Sequence, residues 1–159
     1  MKDLKIVFMG TPDFAVAIID KLLKETYNIV GVITAPDRPA GRGRKLNKSA
    51  VKKFAIKNEL PVLQPTNLKD NKFLEELKAL NADLQIIVAF RMLPEAVWNM
   101  PRLGTFNLHA SLLPDYRGAA PINWAIINGE RKTGVSTFFL DDKIDTGAII
   151  LQKETDIAE

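Results

Sequence analysis

The sequence predicts an α/β fold: a mostly parallel sheet with helices on both faces and an antiparallel C-terminal strand. Three observations carry this expectation. Short continuous apolar runs recur along the chain, at Leu4–Met9 (LKIVFM), Ile29–Thr34 (IVGVIT) and Leu84–Phe90 (LQIIVAF). Strands that are apolar on both faces belong to sheets covered on both sides. Segments with helical spacing separate these runs, and that alternation is the pattern of parallel strands linked by crossover helices. The last two strand-like segments are joined by only a short polar loop, which implies an antiparallel pair.

The elements follow in order. Leu4–Met9 is a buried strand ending at Gly10. Thr11 is the expected N-cap of the first helix, with Pro12 at its first position and Asp13 in its first turn. Phe14, Ile18 and Leu22, with Val16, Ile19 and Leu23, carry the helix through about Glu25. Ile29–Thr34 is a second strand, Ala50–Asn58 a helix and Val62–Gln64 a short strand. Asn71–Leu80 is a helix and Leu84–Phe90 the most apolar strand. Pro94–Met100 is a helical turn, Thr105–Leu108 a strand, and Ala120–Asn128 a helix ended by Gly129. Gly134–Leu140 and Ala148–Gln152 are the closing strands. The tail Glu154–Glu159 shows no recognisable last element, which suggests a chain cut at a domain boundary.

Composition excludes several chemistries. A chain of 159 residues, 47% hydrophobic, suffices for one domain with a true core. It has no cysteine, so disulfides, thiolate nucleophiles and Cys-ligated zinc are ruled out, and its single histidine rules out a multi-histidine metal site. There is no signal-type apolar block, and no apolar stretch approaches the roughly 20 residues of a membrane span. The expectation is a soluble, cytoplasmic protein with no membrane contact, no metal and no implied protein partner. Charge is uneven. Arg38, Arg42, Arg44, Lys45, Lys48, Lys52 and Lys53 fall in one acid-free stretch. The remainder holds 15 basic against 19 acidic residues, or −4, from chain totals of 22 and 19. A positive stripe on a mildly acidic body points to a polyanionic partner at one place.

The candidate chemistry lies at a strand end, where open α/β sheets bind their ligands. Asn107 and His109 are two residues apart, so both side chains leave one strand face. An amide and an imidazole converging there suit a carbonyl oxygen that becomes an oxyanion, and histidine also suits proton transfer near pH 7. Asp145, in the loop Asp141–Gly147 (DDKIDTG), is the carboxylate best placed to hold the ring. No serine or cysteine nucleophile pairs with the histidine, which favours direct attack by a substrate. The adjacent Ser111–Gly118 (SLLPDYRG) is composed to wall an apolar pocket with a few polar groups. Taken alone, His109 reads equally well as the cap of its strand.

The run Phe106–Gly118 (FNLHASLLPDYRG), together with Asp145-Thr146-Gly147, resembles the folate-dependent formyltransferases. That resemblance implies their Rossmann-like fold and an active centre of Asn107, His109 and Asp145. It implies folate contacts from Ser111, Leu112, Leu113 and Pro114, with further contacts around Arg91, Met92 and Leu93. The co-substrate implied is 10-formyltetrahydrofolate, whose formyl carbon is attacked by a primary amine. Met9–Ala15 (MGTPDFA) and, more sharply, Thr34–Leu46 (TAPDRPAGRGRKL) resemble the branch acting on methionyl-initiator tRNA. There Arg42 matches the principal tRNA-contacting position, with Arg44, Lys45 and Lys48 nearby. One stretch departs. Where many members of that branch carry Ala-Tyr-Gly, this chain reads Ala89-Phe90-Arg91, similar to the branch acting on nucleotides. Members acting on tRNA usually continue into a second, barrel-like domain that helps hold the tRNA. The expectation is therefore that residues 1–159 form the catalytic domain alone. The rival readings are formyl transfer to a small amine (a nucleotide-linked amino sugar or glycinamide ribonucleotide) and a non-catalytic RNA- or folate-binding module.

Overall fold

The computed structural model describes residues 3–40, 45–143 and 145–158. The chain divides into two compact units, residues 1–104 and 105–159.

The first unit runs β1 (Lys5–Gly10), α1 (Asp13–Lys24), β2 (Asn28–Ile33), β3 (Arg38–Ala40), β4 (Lys45–Asn47), α2 (Ala50–Lys57), β5 (Val62–Leu63), α3 (Asn71–Ala79), β6 (Leu84–Val88) and α4 (Glu95–Trp98). Its four sheet strands lie in the order β5-β2-β1-β6, every neighbouring pair parallel. On β1 the register sets Phe8 between Val32 and Ile86. Ile6, Val7, Phe8 and Met9 are all buried. Because successive side chains point to opposite faces, such a strand has both faces covered. Helix α1 buries Ala15 and Ile19, and α2 buries Val51 and Ala55. These two helices pack on one another, and α1 also lies on β1 and β6. The turn from β1 into α1 needs a residue without a side chain. A Cβ at Gly10 would stand 2.7 Å from the Ala15 Cβ and 2.9 Å from the Val88 carbonyl oxygen.

The second unit runs β7 (Thr105–His109), α5 (Pro121–Ile127), β8 (Lys132–Phe139) and β9 (Ile149–Asp156). Both strand pairings are antiparallel. Gly134, Ser136 and Phe138 are the buried positions of β8 and alternate with more exposed ones, the pattern of a strand with one covered face. At Gly134 a Cβ would collide with the Lys153 carbonyl oxygen and with Leu112, so β9 and the Leu112 side chain close over bare backbone.

The expected α/β class is present, with parallel strands in the first unit and antiparallel ones toward the C-terminus. Three local expectations differ. The helix starts one residue later than the Thr11 cap implied: Pro12 is the N-cap residue and no side chain caps it. Between Thr34 and Ala50, where the sequence predicted no element, lie β3 and β4, an antiparallel pair with Pro39 opposite Leu46. The tail is not shapeless either, since β9 continues to Asp156, opposite Lys132. Its eight residues are all exposed, and from Gln152 to Asp156 they are polar, so that end carries none of the apolar signal by which buried strands are recognised.

Candidate functional site

Strand β7 positions Asn107 and His109. In the antiparallel ladder Asn107 faces Phe138 and His109 faces Ser136, so the two share one face at the strand's carboxyl end. His109 is 7% exposed. Its Nε2 lies 2.7 Å from the Tyr116 carbonyl oxygen and its Nδ1 lies 3.8 Å from Asp145 Oδ2. That carboxylate oxygen accepts a hydrogen bond from the Gly118 amide at 2.8 Å, while Arg117 Nε donates to the Asp145 carbonyl at 3.0 Å. Asp145 therefore reaches the ring at ion-pair range, and its hydrogen bond goes to Gly118. Asn107 Oδ1 is buried and, among the described residues, has no hydrogen-bond partner. A buried acceptor left unpaired costs roughly 1–3 kcal/mol, so it marks a place where a donor from a ligand is favoured.

The segment Ser111–Pro114 is held by β8 and β9. Ser136 Oγ donates to the Ser111 carbonyl at 2.7 Å and accepts from the Leu113 amide at 3.0 Å. Gln152, directly opposite Ser136, donates from Nε2 to the Leu113 carbonyl and to Ser136 Oγ, both at 2.8 Å. Ser111 Oγ in turn donates to the Asp115 carbonyl at 2.7 Å. Ser111 and Leu113 are buried, Leu112 is half-buried and Pro114 is exposed. The hydroxyl that looked available for a ligand is thus engaged in fixing the loop.

The other predicted residues lie in the first unit. Arg91 is exposed, and its guanidinium donates to the Thr66 carbonyl at 2.9 Å and to the Pro65 carbonyl, with its carbon 5.5 Å from the centre of the Phe90 ring. Burial of part of the side chain, and then the charge of Arg38, hold its pKa below the ordinary arginine value. Met92 is 72% exposed and Leu93 is buried. A cleft of about 380 Å³ lies beyond β5, lined by residues including Gln64, Thr66 and Phe73, and none of the predicted site residues lines it. Arg42 and Arg44 fall outside the described residues, as does the side chain of Lys45; Lys48 is exposed.

Sequence reasoning missed two things. Asp37, one residue before the basic stretch, pairs with Lys52 at 2.6 Å and accepts from Gln64 Nε2 at 2.8 Å. The acid-free stretch therefore has one cation neutralised from just outside it, and an aspartate adjoining Arg38 was the available signal. Tyr116 was read only as part of a loop, yet its carbonyl touches the candidate histidine. A main-chain carbonyl leaves no mark in the sequence. Among the described residues no group of three or more His, Asp or Glu could hold a metal ion, and no helix is long and apolar enough to cross a membrane.

Residues 4–159 match the profile described as Formyl transferase. The chain belongs to the formyl transferase family. Within it, the chain is 72% identical over 154 residues to the methionyl-tRNA formyltransferase of Flavobacterium johnsoniae, a match covering 97% of this chain and 49% of that protein. It is 71% identical over 160 residues to the protein of that name from Flavobacterium psychrophilum, covering 100% and 51%. The chain thus spans about half the length of the curated relatives it matches. Among solved structures, phosphoribosylglycinamide formyltransferase from Bacillus halodurans superposes with a TM-score of 0.76 at 22% identity, covering 98% of this chain and 81% of that one. At that identity the likeness establishes a shared Rossmann-like formyltransferase fold. At Gly147 a Cβ would fall on the Phe139 carbonyl oxygen, so the position takes only a residue without a side chain.

Proposed function

We propose that this chain is the catalytic domain of an enzyme that transfers the formyl group of 10-formyltetrahydrofolate to the amino group of methionyl-initiator tRNA, in the cytoplasm, for translation initiation. The observation that carries the reading is the convergence of Asn107, with its unpartnered Oδ1, and His109 on one strand face beside Asp145. The family uses formyl-tetrahydrofolate derivatives as co-substrate, and the name of the relatives, methionyl-tRNA formyltransferase, supports the acceptor. The amine nitrogen attacks the formyl carbon, a carbon–nitrogen bond forms, and the carbonyl oxygen takes up negative charge. The Asn107 Nδ2 amide donates to that oxyanion and the positive charge of protonated His109 stabilises it, while Asn107 Oδ1 is free to accept from the attacking amine. Asp145 supplies a countercharge to the ring and assists removal of the amine proton. Collapse breaks the bond to the folate nitrogen, which leaves with a proton. Ser111, Leu112, Leu113 and Pro114, with Arg91, Met92 and Leu93, are the residues assigned to folate, and no metal is required. Arg42, Arg44, Lys45 and Lys48 are assigned to tRNA phosphates.

The assay supplies 10-formyltetrahydrofolate and charged initiator tRNA to this chain and, in parallel, to a protein of the relatives' full length. Formylmethionyl-tRNA is the expected product; its absence from both sinks the reading and leaves a binding module. A small-amine acceptor is favoured by one observation, the Ala89-Phe90-Arg91 departure. Arg42→Ala with Arg44→Ala separates the two. The pair should cripple tRNA formylation and spare a small amine, and unchanged tRNA formylation would refute the tRNA assignment.

A further inference from the structure

His109 stands between two acceptors, and they are not equivalent. The Tyr116 carbonyl is 2.7 Å from Nε2, and a carbonyl oxygen can only accept, so the proton of that contact belongs to Nε2. Asp145 Oδ2 is 3.8 Å from Nδ1, beyond hydrogen-bond range, and already takes the Gly118 amide at 2.8 Å. Which nitrogen of a histidine is protonated is set by the hydrogen bonds its ring makes. Here the short bond is to main chain and the carboxylate acts through charge.

The carbonyl is itself anchored. Tyr116 adopts a left-handed conformation, φ 56°, as does Asp145 at φ 51°. The Tyr116 hydroxyl donates to Glu130 Oε1 at 2.6 Å and accepts from Asn128 Nδ2 at 3.1 Å. Glu130 thereby holds the phenol above its ordinary pKa. On the residue before, the Asp115 carbonyl is tied to Ser111 Oγ. Backbone held in a sparsely populated region persists only where its surroundings over-determine it, and such places cluster at functional sites.

We propose that Tyr116 is a positioning residue: its main-chain carbonyl, steadied by the latch from its hydroxyl to Glu130 and Asn128, orients His109 with the proton on Nε2, while Asp145 contributes charge. This deepens the formyl-transfer reading, and only its catalytic consequence rests on that reading.

The chain has one histidine, so ring-15N labelling of histidine yields one pair of imidazole signals. The expected spectrum shows an Nε2–H proton slowed in exchange with water, with nuclear Overhauser contacts to the 116–118 segment. A ring proton exchanging as fast as that of free imidazole overturns the proposal. In Tyr116→Phe, that proton should exchange faster and kcat should fall about three- to tenfold, the span of one hydrogen bond, with KM for 10-formyltetrahydrofolate unchanged; an identical Nε2–H signal in this variant refutes the latch. Asp145→Asn should keep the Nε2–H signal while losing transfer rate. Migration of the proton to Nδ1 in that variant would make the aspartate the orienting group and end the proposal. A protein that shows the expected spectrum yet transfers no formyl group refutes the reaction assignment and leaves the ring's orientation standing.

Discussion

In residues 1–104 the strand β1 buries Ile6 through Gly10, and among its buried neighbours are hydrocarbon side chains from β2 and β6. In residues 105–159 the strand β9 buries nothing, and β8 closes over Ser136 as well as Phe138. The first unit gains order from apolar area; the second adds to a smaller apolar core around Phe138 a network of Ser111, Ser136 and Gln152 that pins a loop beside Asn107 and His109. Non-glycine residues at positive φ occur in both, but among the described residues of the second unit they are Tyr116, Ala120 and Asp145, and two of these, Tyr116 and Asp145, flank His109. A sheet buried on both faces tolerates little polarity, because an unpaired polar group there costs free energy. A half-covered antiparallel sheet can bring polar side chains to its open end and satisfy them from loops. Chemistry therefore collects in the unit with the smaller apolar core.

That contrast is open to attack. Phe8→Ala, at a fully buried position, should destabilise the protein by about 3–5 kcal/mol, read from denaturant unfolding, and Phe138→Ala by a similar amount in the second unit. A much smaller loss at Phe138 would mean that polar contacts, and no apolar core, hold the second unit together. His109→Ala or Asn107→Ala should cut formyl transfer by about 100- to 1000-fold, the range for one oxyanion donor, while circular dichroism stays unchanged. Unfolding in these variants would make the pair structural. Ser49→Ala removes the hydroxyl that caps α2 at the Lys52 amide and meets Thr34 Oγ1 at 2.7 Å. About 1 kcal/mol of stability should go with it, measurable as a lower unfolding midpoint.

The smallest effect expected is one of pH. The Lys52 ammonium, and after it the Gln64 amide, hold the Asp37 carboxyl below its ordinary pKa. A carboxyl depressed in the folded state stabilises above its unfolded pKa, about 3.9, and loses that contribution as pH falls through the folded value. Asp37→Asn should therefore lower stability at neutral pH, with the gap to the parent protein closing below about pH 4. A gap that persists in acid would show that the contact is steric.

Much of the first unit was legible. LKIVFM and LQIIVAF announce buried strands because a strand covered on both faces must be apolar at every position. The β3–β4 pair was not legible, since Arg38-Pro39-Ala40 and Lys45-Leu46-Asn47 are too short to show a period and hold no apolar run. The full length of β9 was hidden for the same reason: Gln152–Asp156 is polar throughout, and only the ladder with β8 makes it a strand. At the site, the spacing of Asn107 and His109 announced a shared face, and the motif around them announced a family.

The sequence by itself determined the fold class, the shared strand face of Asn107 and His109, and the family, because apolar periodicity and side-chain spacing are local properties of a chain. Only the tertiary structure decided which group grips His109. Asp145 and Tyr116 are 36 and 7 residues away in sequence, and loop closure brings the carboxylate to 3.8 Å and the carbonyl to 2.7 Å. Every residue carries a carbonyl, so the one that orients the ring is selected by backbone conformation alone.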